Sequence, residues 1–304
     1  LFLFEADDTE PPLVSDVKEI INYVRAMEYG IKRLEDLPVS SRLICEIHEI
    51  LMEGVRGKGA TPGLIRTSQN WIGSPGCDLT DATYVPPPEQ EMKQCFSDLE
   101  KYIHSDPQEP ALIQCALVHY QFEAIHPFLD GNGRIGRLLI TFMLLEKGLL
   151  SQPLLYLSDF FEQHREEYYK LLLNVSQKGD WKAWFTFFLN GVRQQSEDAL
   201  STIQKLLNLQ SEYRALGTGR KVPKSVNRLI DYLFASPIIS ISALSKAWKM
   251  PFPTVQRGVD YLIEKDILKE VTGGRRNRLF TAHEIFDTIM TERTKSMNPK
   301  KDVI

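Results

Sequence analysis

Apolar residues recur at helical spacing through most of this chain. In VKEIINYVRAMEYGIKRL, Ile20, Val24, Met27 and Ile31 fall at i, i+4, i+7 and i+11, the period of one helix face. SRLICEIHEILMEGV repeats the pattern, and together the segments predict two packed helices. From Lys58 the period stops. GKGATPGLIRTSQNWIGSPGCDLTDATYVPPPEQ is rich in Gly, Pro, Thr and Ser, and SQNWIG and ATYVP on either side of SPGCD predict a β-hairpin flap. Such a long excursion in a compact helical domain points to function. Helical spacing returns in PEQEMKQCFSDLEKYIHS and EPALIQCALVHYQFEAI, the second ending about His126 because Pro127 disfavours helical geometry before it. RIGRLLITFMLLEKG predicts another helix closed by Gly148. Further helices are expected in FFEQHREEYYKLLLNVS and in DWKAWFTFFLNGVRQQSEDALSTIQKLLNLQSEYRAL, before a linker, GTGRKVPKS.

Beyond the linker, PKSVNRLIDYLFAS, SISALSKAWKM and TVQRGVDYLIEKDIL predict three helices, and LKEVTGGRRNRLFTA a two-stranded wing tipped by Gly273 and Gly274. This order resembles a winged helix-turn-helix. Thr254 is expected to N-cap the recognition helix, with Gln256 and Arg257 on its exposed side and Arg275, Arg276 and Arg278 on the wing. A basic wing suits DNA phosphates, yet VQRG carries no base-specific code, so target or self recognition stands beside DNA contact.

Composition places the chain among soluble globular proteins: 304 residues, 43% hydrophobic and 25% charged. No apolar run approaches the ~18 residues of a membrane span; LLITFMLLEKGLL is interrupted by Glu146 and Lys147. LFLFEADD lacks a basic leader and a cleavage site and reads as the tail of a helix, and the opening Leu suggests that the native chain began upstream. Cys45, Cys77, Cys95 and Cys115 form no CxxC pair, and reduced thiols in a cytoplasm are the expectation. Charge is uneven. Residues 220–304 hold sixteen Lys+Arg against nine Asp+Glu, which leaves the rest at −11 within a net charge of −4; the asymmetry hints at an anionic partner for the C-terminal part.

The densest chemistry lies in HPFLDGNGRIGR, residues 126–137, where Gly131, Gly133 and Gly136 have GxGxxG spacing. A dinucleotide fingerprint needs a strand before the glycines within a βαβ unit. Here a long helix precedes them, and no GK[ST] follows to make a P-loop. What remains is helix, loop, helix. Backbone N–H groups of residues 131–133 at a helix N-terminus form an anion nest. Arg134 and Arg137, at i and i+3, can face the same anion, although cations there cost the helix ~0.3–1 kcal/mol each. A polyphosphate explains their presence. Asp130 beside such a cradle implies Mg²⁺ between carboxylate and phosphate, and His126 is a group able to take a proton from a hydroxyl.

The stretch resembles the signature of the Fic family, HxFx(D/E)GNGRxxR, with His126, Phe128, Asp130, Gly131, Asn132, Gly133, Arg134 and Arg137 at every fixed position. GLIRTSQNWIG with YVPPP is similar to the family's flap, and EYYK and GDWKAWFTFFLNGV to its later helices, so that the resemblance covers roughly residues 15–195. It implies a mainly α Fic-type helical bundle with a β-hairpin flap, followed by the small winged helix-turn-helix domain. The expected division is an N-terminal helical region (1–55), a catalytic core (56–200), a helix end and linker (201–224), the winged helix (225–290) and a tail (291–304). It also implies transfer of AMP from ATP to a Ser, Thr or Tyr hydroxyl of a target protein. His126 would be the general base, Phe128 the buried anchor, and Asp130 the Mg²⁺ ligand. Asn132 and the Gly131 and Gly133 amides would contact phosphates, Arg134 the pyrophosphate side and Arg137 the γ-phosphate.

Ile72, Gly73 and Ser74 match flap positions over the nucleotide that align a target segment, and Tyr169 resembles a residue near the adenine pocket. The family's kinase-like branch carries a Lys where this chain has Gly133, which favours AMP transfer over phosphorylation. Relatives with this layout imply a homodimer, and self-modification is a further expectation. Many also carry an inhibitory (S/T)xxxE(G/N) helix whose Glu pairs with the second motif Arg. Ser15 and Glu19 have the spacing, but Ile20 follows, so the segment is expected upstream and this form is expected to be less autoinhibited. Two other functions stay open: a DNA-binding regulator that uses the site as a nucleotide sensor, and removal of AMP by the same site.

Overall fold

A computed structural model describes residues 12–54, 61–74, 76–105, 109–219, 222–272 and 278–296. The chain divides into two units, Leu1–Gln195 and Ser196–Ile304. In the first, α1 (Pro12–Arg33), α2 (Ser41–Leu51), α3 (Glu89–Ile103), α4 (Ala111–Ile125), α5 (Asn132–Glu146), α6 (Leu157–Gln163) and α7 (Arg165–Lys178) precede α8 (Trp181–Leu216), within which the division falls. Helices α4 and α5 are apolar on most faces because they form the centre; Phe122, Leu138, Phe142 and Met143 are fully buried there. Gly148 takes a positive φ of 68° after α5, and Leu149 N–H reaches back to the Leu144 carbonyl at 2.9 Å, which closes the helix as a Schellman turn.

Two local expectations are corrected. The stripe proposed for α1 holds at Met27 and Ile31, which pack on the core, but not at Ile20 and Val24, which are exposed while Asn22 and Ala26 are buried. The physical reason is polar: Asn22 Nδ2 donates to the carbonyls of Leu51 and Glu53 at 3.2 and 2.9 Å, satisfying the otherwise open C-terminus of α2. The flap is no two-stranded ladder either. Among the described residues it holds one antiparallel bridge, Ile72 to Tyr84, because Pro86, Pro87 and Pro88 offer no N–H to extend it.

The second unit contains α9 (Val226–Ala235), β1 (Ile238–Ser240), α10 (Ile241–Trp248), α11 (Phe252–Glu264), β2 (Leu268–Glu270), β3 (Leu279–Ala282) and α12 (His283–Ser296). The strands form an antiparallel sheet in the order β1-β3-β2, with Ile239 opposite Phe280 and Leu268 opposite Ala282. Val226, Leu229, Val259, Leu262 and Phe280 make its core. Strand β1 and helix α12 were not expected from the sequence, and α12 runs past residue 290. Thr254 does not cap α11. The helix starts at Phe252 after Pro251, because Pro253 fits the first turn, where no N–H is needed; the Thr254 carbonyl instead accepts from Ser225 Oγ at 2.9 Å.

Candidate functional site

His126 ends α4 in the left-handed region, φ 50° and ψ 61°, a conformation costly for a residue with a Cβ. Its carbonyl is held from two sides, by Arg66 Nε at 2.9 Å and Asn70 Nδ2 at 3.3 Å. Arg66 is fully buried. Its guanidinium also donates to the carbonyls of Ser68 and Ile125 at 3.0 and 3.4 Å and to that of Pro87, and its own N–H bonds the Pro127 carbonyl at 2.9 Å. One arginine thus ties the base of the flap to the turn that carries His126.

The rest of the loop is closed by side chains that imitate backbone. Asn132 accepts from Phe128 N–H at 2.9 Å and donates to the Phe128 carbonyl at 2.8 Å, while Asn70 Nδ2 reaches the same carbonyl at 2.9 Å. Phe128 is fully buried and stacks on His48, with ring centroids 3.8 Å apart. His48 Nδ1 accepts from Gly63 N–H at 2.9 Å, so that Nε2–H donates to the Asp130 carbonyl at 3.0 Å. Burial pushes the His48 pKa down to about 4, which keeps this buttress neutral. Gly131, at φ 78°, precedes the first residue of α5 and supplies the left-handed step that turns the chain into the helix.

Proton placement on His126 follows from its partners. Nδ1–H donates to the Glu123 carbonyl at 3.2 Å, leaving the Nε2 lone pair as acceptor. The pKa is lowered to about 4, chiefly by burial and also by the Arg66 charge, against the opposing Glu123 hydrogen bond and Asp130 charge. At neutral pH the ring is therefore an uncharged base.

The two motif arginines differ in their surroundings. Arg134 is 9% exposed; Nη1 lies 3.0 Å from Glu19 Oε2 and Nη2 3.3 Å from Asp130 Oδ1. Glu19, which has the inhibitory spacing without the residue that should follow it, thus meets Arg134 and not Arg137. Arg137 is half-buried and, among the described residues, makes no hydrogen bond or salt bridge. Its charge acts on Glu123, Tyr168, Tyr169 and Tyr23. Asp130 Oδ1 also accepts from Gly131 N–H. Among the described residues no three metal-ligating side chains cluster. A lone carboxylate still fits Mg²⁺, which binds through one or two carboxylates and completes its shell with substrate phosphates.

In the flap, Ile72 forms the bridge to Tyr84 and the Ser74 carbonyl accepts from Cys77 N–H at 3.0 Å. The backbone at Gly73 packs so closely on Cys77 Sγ that a Cβ there would collide with it. Tyr169 is 42% exposed, with the Arg165 guanidinium 5.9 Å from its ring centre. In the second unit Gln256 is bonded to Asp260 at 2.6 Å, Arg257 to the Pro253 carbonyl at 3.2 Å, and Arg278 to Glu270 at 2.6 Å. Arg275 and Arg276 lie outside the described residues. Sequence reasoning missed His48, Arg66, Asn70 and Glu123 as parts of the site. Only Glu123 left a signal: with His119 and His126 it shares one face of α4 at i, i+4 and i+7.

Residues 38–144 match the family model described as Fic/DOC family, so this stretch of the chain carries a Fic domain. Among curated proteins the chain is similar to a protein adenylyltransferase Fic of Drosophila ananassae, 26% identical over 57% of this chain and 32% of that protein. It is also similar to a probable protein adenylyltransferase of Aquifex aeolicus, 31% identical over 43% of this chain and 39% of that protein. The chain therefore spans about a third of the length of these relatives. A Fic family protein from Desulfovibrio desulfuricans shares the fold, with a TM-score of 0.53 and 22% identity over 87% of this chain and 75% of that one. No described helix is long and apolar enough to cross a membrane.

Proposed function

We propose that this protein is an adenylyltransferase that moves AMP from ATP to a Ser, Thr or Tyr hydroxyl of a target protein or of itself. The observation that carries this reading is His126, neutral and with Nε2 unprotonated, on the turn that leads into the N-terminus of α5. In the reaction the hydroxyl oxygen attacks the α-phosphorus, its proton passes to His126 Nε2, the bond to the bridging oxygen breaks, and pyrophosphate leaves. N–H groups at the start of α5 and Arg137, which has no hydrogen bond or salt bridge among the described residues, would supply charge where the leaving group gains it. Asp130 would hold Mg²⁺ together with phosphate oxygens, and the ion would neutralise charge on the triphosphate. Gly133 in place of a Lys supports AMP transfer over phosphorylation, on the resemblance given above. Ile72, Gly73 and Ser74 would align the target segment by strand addition, and Tyr169 would border the base.

The second unit is read as a recognition module for the target or a second copy in preference to DNA. The exposed face of α11 carries Asp260 and Glu264 beside Gln256 and Arg257, and acids there repel phosphates. Incubation with α-³²P-ATP, Mg²⁺ and a cell lysate tests the proposal. Label transfer is expected from the native protein and a loss of at least ~100-fold from His126→Ala. Equal labelling by both proteins, or none by the native one alongside salt-sensitive DNA binding, overturns it.

A further inference from the structure

Glu123 is a half-buried acid for which the proposed reaction has no use. Its Oε1 is sealed from solvent and finds no hydrogen-bond partner. The carboxyl lies directly on the backbone of Gly136, where any Cβ would collide with Oε1; a glycine at 136 is what leaves room for it. Ionising a carboxyl with one oxygen sealed from water costs more than leaving it neutral unless a counter-charge stands near. The cation whose charge acts on it is Arg137, one residue beyond Gly136 and itself without a hydrogen bond or salt bridge among the described residues. Two groups of opposite charge, neither with an ion pair among the described residues, therefore act on each other from α4 and α5. The neutral acid leaves the guanidinium to a ligand, whereas the anion draws it back.

We infer that Glu123 is a positioning residue that acts through Arg137, releasing its guanidinium to the outer phosphates of a nucleotide when uncharged and retracting it when ionised. The inference rests on the adenylyltransferase reading for the ligand, but its logic is that of the pair. Other groups facing Glu123 leave the neutral range to it. On its own helix, burial pushes His119 and His126 down to about 3 and about 4. From α7, the Tyr168 and Tyr169 hydroxyls are raised above their ordinary value of 10.0, chiefly by burial, and from α1 so is Tyr23, which faces Arg137. Glu123 itself is pushed up to about 7 by burial, against the pull of Arg137. A triphosphate that takes Arg137 away removes that pull, so binding should bring a proton onto Glu123.

Calorimetry with the α,β-methylene analogue of ATP and Mg²⁺, at pH 6 and pH 8, tests this on the native protein, Glu123→Gln, Arg137→Ala and the double variant. Native affinity is expected to fall about fivefold more between pH 6 and pH 8 than that of Glu123→Gln, which mimics the uncharged acid. In the Arg137→Ala background the glutamine change is expected to do nothing. Titration of the native protein in two buffers of different ionisation heat should show proton uptake, a readout that needs no variant to fold. Native protein that fails to bind the analogue sinks the nucleotide reading together with this one. Native protein that binds, with the same pH dependence in Glu123→Gln, or with a Glu123→Gln effect that survives the loss of Arg137, sinks the inference alone.

Discussion

The base that the proposed reaction needs must be uncharged before it can act, and at the half-buried imidazole of His126 desolvation serves that end without a carboxylate partner. The cost falls on the backbone at His126, and Arg66 bears most of it. Replacing Arg66 with Ala leaves the carbonyls of Ile125, Ser68 and Pro87 without the Arg66 donor and that of His126 with Asn70 alone, at ~1–3 kcal/mol for a buried group so abandoned. We expect Arg66→Ala to lower the urea midpoint by an amount equivalent to about 3 kcal/mol, and Arg66→Lys not to restore it, because a single ammonium cannot span a forked set of acceptors. The motif from His126 to Arg137 was legible in the sequence because its members are near neighbours. Arg66 and His48 were not, since their partners lie 60 and 82 positions away and nothing in a flap or an amphipathic helix marks one polar residue as a brace.

At the scale of elements, periodicity located the helices but misplaced the first half of the α1 stripe, Ile20 and Val24, which face outward. A hydrophobic count ranks Ile20 above Asn22, yet an amide that closes the carbonyl end of a neighbouring helix gains more from burial than an isoleucine loses by staying in water. Asn22→Ala is expected to cost ~1–2 kcal/mol in thermal or chemical denaturation, whereas Ile20→Ala on the same helix should cost a few tenths. The flap shows the converse error. Two short β-prone pieces around SPGCD suggested paired strands, but prolines removed the donors, and side chains such as Gln69, bonded to the Pro86 carbonyl at 2.8 Å, replace the ladder.

For the molecule as a whole, composition and linker chemistry led to an expected boundary near the GTGRKVPKS linker, whereas the two units part inside α8, at Gln195 and Ser196; β1 and α12 escaped because three-residue strands and a polar terminal helix carry little periodic signal. Buried titratable groups set its response to acid. His48, His119 and His126 have folded values of about 4, 3 and 4 against an ordinary 6.5. Their contribution is complete above pH 6.5 and lost as pH falls toward 4, since the unfolded chain binds the protons first. Glu123, raised to about 7, works the other way: its contribution is complete below its ordinary value of 4.5 and is lost as pH rises through 7. Three groups against one predict a melting temperature that drops steeply between pH 6.5 and pH 4; a flat profile across that window in differential scanning calorimetry would contradict the assignment.

The bridge between Glu19 and Arg134 bears on which anions the pocket will admit. With an internal carboxylate already in contact, that guanidinium is no bare attractant, and every newcomer must trade places with a tethered rival. Chloride or a single orthophosphate gains little from such an exchange. Only a chain of linked phosphates, which recovers the loss through several simultaneous grips, comes out ahead.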